Sequence, residues 1–184
     1  SPLFDGFFQG SDFYKLEKFV YLREAKTYEE KAQKNLQEGN PQQAIEEYKI
    51  AFQLFKKSCE ENDPELAYYS SQIGDIYLKD GQVVLAMEYY EQSLQQLLNS
   101  FILKHEPIFR CYHQLAKCLI RNNEYGEAIY CLKECLKRVE LAESKEEAKE
   151  IERSCYIMLG GIYLKYEKYD KALDCIEIQS IRNY

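Results

Sequence analysis

The chain has 184 residues, a length typical of one domain or two, and 24 basic against 31 acidic residues give it a formal net charge of −7. An acidic chain argues against binding to the nucleic-acid backbone or to anionic lipid, because both require an excess of Lys and Arg. Hydrophobic residues make up 46% of the chain, enough for a core, while no stretch approaches the roughly 18 apolar residues of a membrane helix. The 8 glycines and 4 prolines are too few for a turn-rich all-β fold.

The first 25 residues form an aromatic-rich extension, and from Asp12 onward its pattern becomes helical. We interpret it as a segment that caps the helices that follow; the alternative is an acidic-aromatic motif that docks elsewhere. The chain begins without Met and ends at Tyr184 within a helical pattern, so we expect it to be a piece of a longer protein. The phenylalanines of the extension are Phe4, Phe7, Phe8 and Phe13.

Comparison of the chain with itself reveals four repeats, which align on an alanine with spacings of 42, 42 and 44 residues: Ala44, Ala86, Ala128 and Ala172. A large residue follows each alanine after four positions: Tyr48, Tyr90, Leu132 and Ile176. A second small residue lies twelve positions before it: Ala32, Gly74, Ala116 and Gly160. We call these two sets of small residues the second and the first small positions; they let two helices approach closely.

The repeats carry the signals of helix pairs. Apolar residues at Ile73, Ile76 and Tyr77 recur at helical spacing. Asn40 before Pro41, like Asp63 before Pro64, is typical of a helix N-terminus. Gly39 and Gly81 lie between the two helices of a pair, where a left-handed backbone ends the first helix.

These spacings resemble the tetratricopeptide repeat family, whose pattern is aromatic-x-x-Leu-Gly-x-x-Tyr followed by Ala-x-x-x-Phe. The sequence YIMLGGIY at Tyr156–Tyr163 matches the first half, and SQIGDIY with AMEYY matches most of the second repeat. The period exceeds the usual 34 residues and is similar to that of kinesin light chain and of Leu-Gly-Asn-rich adaptor repeats. The resemblance implies an all-α, right-handed solenoid of four antiparallel helix pairs.

The predicted boundaries follow from this alignment. Residues 1–25 form the N-terminal extension with its capping helix, and residues 26–184 form the solenoid, with repeats at about 26–62, 63–105, 106–149 and 150–184. The last helix carries Leu173, Ile176, Ile178 and Ile181 without a polar cap after it. We therefore expect that the parent chain continues or that this face self-associates.

No known catalytic or ligand-binding motif is present in the sequence. It has two histidines, no phosphate-binding glycine loop and no Cys-x-x-Cys, so we predict no enzyme activity, no cofactor and no metal. The 7 cysteines are an odd number, which argues against a secreted disulfide framework and favours a reducing compartment, here the cytoplasm. We interpret them as small packing residues.

The resemblance implies a scaffold or adaptor that holds a peptide or helix of a partner protein in its concave groove. The alternative is a structural subunit of a larger cytoskeletal, motor or ciliary assembly, without a single groove ligand. In this family the first helix of each pair lines the groove. In the third repeat this helix, from about Pro107 to Arg121, contains no Asp or Glu.

The basic residues of that helix predict the chemistry of the partner. Arg110, His113, Lys117 and Arg121 share one stripe, so we predict that an acidic segment binds against them. Gln114 belongs to the same stripe, and the neighbouring first helices add residues at comparable positions. The full predicted groove set is Gln72, Asp75, Lys79, Arg110, His113, Gln114, Lys117, Arg121 and Lys165.

Overall fold

A computed structural model describes residues 10–60, 62–100 and 102–181, and within these ranges it contains eight α-helices and no strand. The helices pack as four consecutive pairs, each pair also contacting the next, so the predicted all-α solenoid is confirmed. The pairs are α1 Gly10–Gln37 with α2 Pro41–Ser58, α3 Leu66–Lys79 with α4 Val83–Leu98, α5 His105–Arg121 with α6 Tyr125–Val139, and α7 Lys145–Lys165 with α8 Tyr169–Ile181.

Both small positions lie where the two helices of a pair meet, and all eight of their residues are buried. In the second repeat the ring of Tyr90 occupies the space next to Gly74 that a side chain at this position would need. Tyr48, Tyr90 and Leu132 are at most 1% exposed, so the residue four positions after the alanine belongs to the core in the first three repeats. Ile176 is 52% exposed, because no helix follows α8 within the described residues.

The first repeat replaces one apolar contact of this pattern with a polar one. Asn35 stands where the second repeat has Tyr77, and its amide donates a hydrogen bond of 2.8 Å to the buried carboxylate of Glu47. In the second repeat Tyr77 stacks instead on Tyr89, with ring centroids 5.6 Å apart. The first repeat therefore keeps its two helices in contact here through a hydrogen bond, since a buried carboxylate requires a partner.

Each first helix ends in the same three-residue turn. The backbone φ is positive at Gly39 (81°) and Gly81 (79°), as predicted, and also at Asn123 (63°) and Glu167 (56°) in the later repeats. In all four turns the amide of the next residue bonds back to the carbonyl five residues earlier, at 2.8 to 2.9 Å. This is a Schellman motif, which satisfies carbonyls that the helix end would otherwise leave without a donor.

Glu167→Gly is expected to raise the free energy of unfolding by up to about 1 kcal/mol, because a left-handed backbone costs a non-glycine residue about 1–2 kcal/mol and glycine gives back part of this as chain entropy. Urea denaturation followed by circular dichroism measures the change. Glu167→Ala is the control, since alanine removes the same side chain but keeps the backbone cost. Equal stabilisation by both substitutions would show that the glutamate side chain, and not the backbone, is responsible.

The predicted boundary at residue 25 falls inside a helix, because α1 runs without interruption from Gly10 to Gln37. Its N-terminal part exposes four large hydrophobic side chains, those of Phe13, Tyr14, Leu16 and Phe19, which are 57–62% exposed. The other phenylalanines of the extension, Phe4, Phe7 and Phe8, lie outside the described residues. The choice between a cap and a docking motif stays a prediction.

The start of α3 differs slightly from the predicted start at Asp63. The helix begins at Leu66, and the Asp63 carboxylate accepts a hydrogen bond of 2.9 Å from the Glu65 amide in the turn before it. Asp63 thus shapes an Asx turn that leads into the helix. None of the helices within the described residues is long and apolar enough to cross a membrane.

Candidate functional site

A groove of about 500 Å³ lies between the first helices α3, α5 and α7, and side chains of α4 form its floor. Three of these floor residues, Tyr90, Ser93 and Leu97, are at most 3% exposed. The walls include six of the nine predicted residues: Gln72, Asp75, Arg110, His113, Gln114 and Lys117. Six of the predicted residues therefore share one groove, while the charge of several of them differs from the prediction. Their role in partner binding stays a prediction.

Arg110 is not a free cation. Its guanidinium forms a bidentate ion pair with Glu147 at the start of α7, through Nε to Oε1 and through Nη2 to Oε2 at 2.6 Å. The hydrogen bonds from Arg110 lower the pKa of Glu147 and keep its carboxylate ionised. The sequence prediction treated Arg110 as open to a partner, and the ion pair corrects that interpretation.

His113 is not a cation either, since its side chain is buried and Nε2 lies 2.8 Å from Ser154 Oγ of α7. Burial lowers the pKa of His113 from its ordinary 6.5 to about 4, and the nearby Lys117 ammonium acts in the same direction. At neutral pH the ring is uncharged and links α5 to α7. The predicted basic stripe therefore carries one positive charge fewer than expected.

Asp75 and Gln114 form a polar network with the groove floor. The Asp75 carboxylate accepts hydrogen bonds from the Tyr90 hydroxyl and from the Gln114 amide, the latter at 3.1 Å. Burial and the Asp75 charge both raise the pKa of Tyr90, so this phenol stays protonated and donates. The Gln114 carbonyl oxygen is buried and has no hydrogen-bond partner within the described residues.

Lys117 is partly buried in the groove wall and makes no ion pair within the described part of the chain. The remaining predicted cations lie outside the groove. Lys79, Arg121 and Lys165 occupy the last turns of α3, α5 and α7. Arg121 donates to the Leu78 carbonyl at 3.4 Å, and Lys165 bonds the Tyr125 hydroxyl at 2.6 Å. Of the predicted basic stripe, Lys117 is the one charged wall residue with no anionic partner among the described residues.

The comparison with protein families decides what this architecture is. A sequence model described as "Tetratricopeptide repeat" matches residues 23–99 and 70–140, well over half of the chain. The chain belongs to the tetratricopeptide repeat family. Members of this family serve in general as protein–protein interaction scaffolds, and the resemblance read from the repeat spacing is confirmed.

Solved structures share this tetratricopeptide repeat fold. BtubC (BKLC) from P. vanneervenii has a TM-score of 0.72 at 18% identity, over 85% of this chain and 61% of that one, so the chain spans less than two thirds of BtubC. Kinesin light chain-like repeats from Podosopora anserina give 0.62 at 19% identity over 91% and 83% of the two chains. MamA gives 0.54 at 16% identity over 92% of both. No curated protein sequence matches the chain significantly.

The thiols of this tetratricopeptide repeat protein are packing residues. All seven cysteines are free, and six of them are buried. Burial raises the pKa of Cys111 to about 12 and that of Cys118 to about 11, so neither is a nucleophilic thiolate at neutral pH. Within the described residues no group of three or more His, Cys, Asp or Glu side chains could hold a metal ion.

Sequence reasoning missed two parts of the site. The floor residues Tyr90, Ser93 and Leu97 belong to a second helix, whereas the prediction considered the first helices only. It also missed Glu147, which lies 37 residues after Arg110. The sequence did contain a signal for this ion pair. The first turn of α7 carries two acids, Glu146 and Glu147, whereas α5 has no acid beyond its first turn.

Proposed function

We propose that this chain is a scaffold or adaptor module that binds a peptide or helix of a partner protein in the groove between α3, α5 and α7. We propose further that the bound segment is acidic and places a carboxylate against Lys117. The observation that carries this proposal is a 500 Å³ groove with a partly buried lysine in its wall and no ion pair on that lysine within the described residues. The free thiols fit a reducing compartment, and we assign the module to the cytoplasm.

The groove supports this role through its shape and polarity. The lining includes the apolar side chains of Ala67 on α3 and of Leu97 in the floor, which suits contact with an apolar partner side chain. Around the floor, Gln72 and Lys117 offer polar groups for orientation. A concave site with a few polar groups above an apolar floor is typical of ligand-binding pockets.

Lys117→Glu is expected to weaken binding of an acidic peptide at least tenfold, about 1.4 kcal/mol, because it replaces attraction by repulsion inside the groove. The ligands are peptides selected from a random twelve-residue display library on the immobilised chain. Fluorescence anisotropy then gives the dissociation constant at low and high salt. Binding should weaken as salt rises, since added ions screen the charges.

Lys133→Glu is the matched control, because Lys133 is exposed on α6, lies outside the groove lining and undergoes the same charge reversal. We expect it to change affinity less than threefold, about 0.6 kcal/mol. Equal loss with both variants would show a general charge effect and would contradict groove binding. Selected peptides that crosslink only outside the groove would favour a structural subunit with spread contacts.

A further inference from the structure

The Arg110–Glu147 ion pair lies within the groove wall, where a bound partner would meet it. It joins α5 of the third repeat to α7 of the fourth, and both residues line the groove. Their side chains are 52% and 35% exposed, so solvent and ligand reach the pair. Ion pairs exposed to this degree contribute little net free energy, and a competing carboxylate can therefore replace Glu147 on Arg110.

The charges of the groove lining balance as the structure stands. Three carboxylates, Glu65, Asp75 and Glu147, face three cations, Lys104, Arg110 and Lys117. Asp75 already accepts two hydrogen bonds, from Tyr90 and Gln114, and is held by the floor. If Glu147 moves out of the groove, Arg110 loses its ion-pair partner. The lining then carries one net positive charge.

Arg110 and Lys117 are seven residues apart on the same helix. Seven residues are two helical turns, so their Cα atoms are about 10.5 Å apart on one face. His113 and Gln114 lie between them and add no charge at neutral pH. A partner helix lying along α5 would match this spacing with two carboxylates that are also seven positions apart.

We propose, resting on the binding role assigned above to the groove, that Glu147 is an internal stand-in for a partner carboxylate. A partner helix with two carboxylates seven positions apart displaces Glu147 from Arg110 with one and contacts Lys117 with the other. While it is paired with Arg110, Glu147 disfavours ligands that carry a single carboxylate, because these contact Lys117 but gain no contact with Arg110. Displacement also releases the ion pair that joins the third and fourth repeats.

Glu147→Gln is the decisive variant, since it keeps the side-chain length and removes the competing charge. The probe is an acetylated, amidated, alanine-rich helical peptide with two glutamates seven positions apart, titrated into the full 184-residue chain by NMR. We expect Glu147→Gln to bind it about fivefold tighter than the wild type. A peptide with its glutamates five positions apart, about 140° from each other around the helix, should show no such gain.

Glu146→Gln is the matched control. Glu146 also lies in the first turn of α7, so both substitutions remove one acid from the same helix N-terminus, but no ion pair of Glu146 is present in the described part of the chain. We expect less than a twofold change. An equal gain in peptide affinity with Glu146→Gln and Glu147→Gln would overturn the inference, because the gain would then follow from the change in net charge alone.

Arg110→Gln provides a second, independent measurement. If Glu147 occupies Arg110, the substitution should weaken peptide binding more in the Glu147→Gln background than in the wild type. Equal losses in the two backgrounds would overturn the inference. Thermal melting checks that every variant is folded. The melting temperatures of the wild type and of Glu146→Gln are the reference values.

The result with Lys117→Glu separates this inference from the proposed function. If Lys117→Glu abolishes binding while Glu147→Gln behaves as Glu146→Gln does, the groove binds acidic segments and only the stand-in role of Glu147 is wrong. If no variant binds either peptide, the acidic-groove function is wrong, and the inference falls with it. Binding to Glu147→Gln alone supports both.

Discussion

Gly74→Leu is expected to lower the free energy of unfolding by about 3 kcal/mol, the upper part of the range for overpacked cores. A Cβ atom at Gly74 would lie 3.0 Å from Tyr90 Cε1, closer than side chains normally approach. The Tyr90 ring cannot move away easily, because it is 1% exposed and its hydroxyl is bonded to Asp75. Urea denaturation followed by circular dichroism measures the loss.

Alanine at two glycines of the first small position, Gly74 and Gly160, provides the control for this prediction. Gly74→Ala should still destabilise the chain, since its methyl group meets the Tyr90 ring. Gly160→Ala should stabilise it by up to about 1 kcal/mol, because the new Cβ would lie 3.6 Å from Cys175 Cβ, an ordinary contact, and alanine favours a helix over glycine. A loss of stability in both variants would show that the fourth repeat packs as tightly as the second.

Stability should fall as the pH drops below neutral, and His113 should carry most of the loss. Its pKa is about 4 in the folded chain against 6.5 ordinarily, so between these values the unfolded chain binds more protons. The stabilisation is complete above pH 6.5 and is lost as the pH falls towards 4. By linkage the wild type should lose about 2 kcal/mol between about pH 7.5 and about pH 5.

His113→Gln should remove most of this pH dependence, because glutamine can bond Ser154 but does not titrate. The pKa values of Glu106 and Glu147 are lowered from 4.5, so these carboxylates contribute mainly below the window measured. His105→Gln removes the other histidine of the chain and serves as the control. If His105→Gln abolishes the pH dependence and His113→Gln retains it, the assignment is wrong.

The fold could be predicted from the sequence because its packing depends on residue size at repeated positions. Gly74 and Ala86 mark the helix contact of the second repeat, and the same spacing recurs in the other three. The ends of the first helices were predictable at Gly39 and Gly81, since glycine signals a positive φ. The end of α7 at Glu167 was not predictable, because a glutamate in the sequence does not indicate a positive φ.

Six of the nine predicted residues line one groove, but the charge state of these residues could not be predicted from the sequence. Helical spacing places Arg110, His113 and Lys117 on one face of α5 without any knowledge of what faces them. The partner of Arg110 comes from the next repeat, and the burial of His113 depends on how α7 packs against α5. Both facts belong to the stacking between repeats, which a single helical pattern does not describe.

The cations at the ends of the first helices have a consequence for the electrostatics of the solenoid. The last turns of α1, α3, α5 and α7 each carry one, the first being Lys34. Stacked pairs bring these ends together at one edge, where the partial negative charges of the helix dipoles lie side by side. Each cation offsets part of that charge, so Lys79, Arg121 and Lys165 stabilise the ends of the helices that carry them.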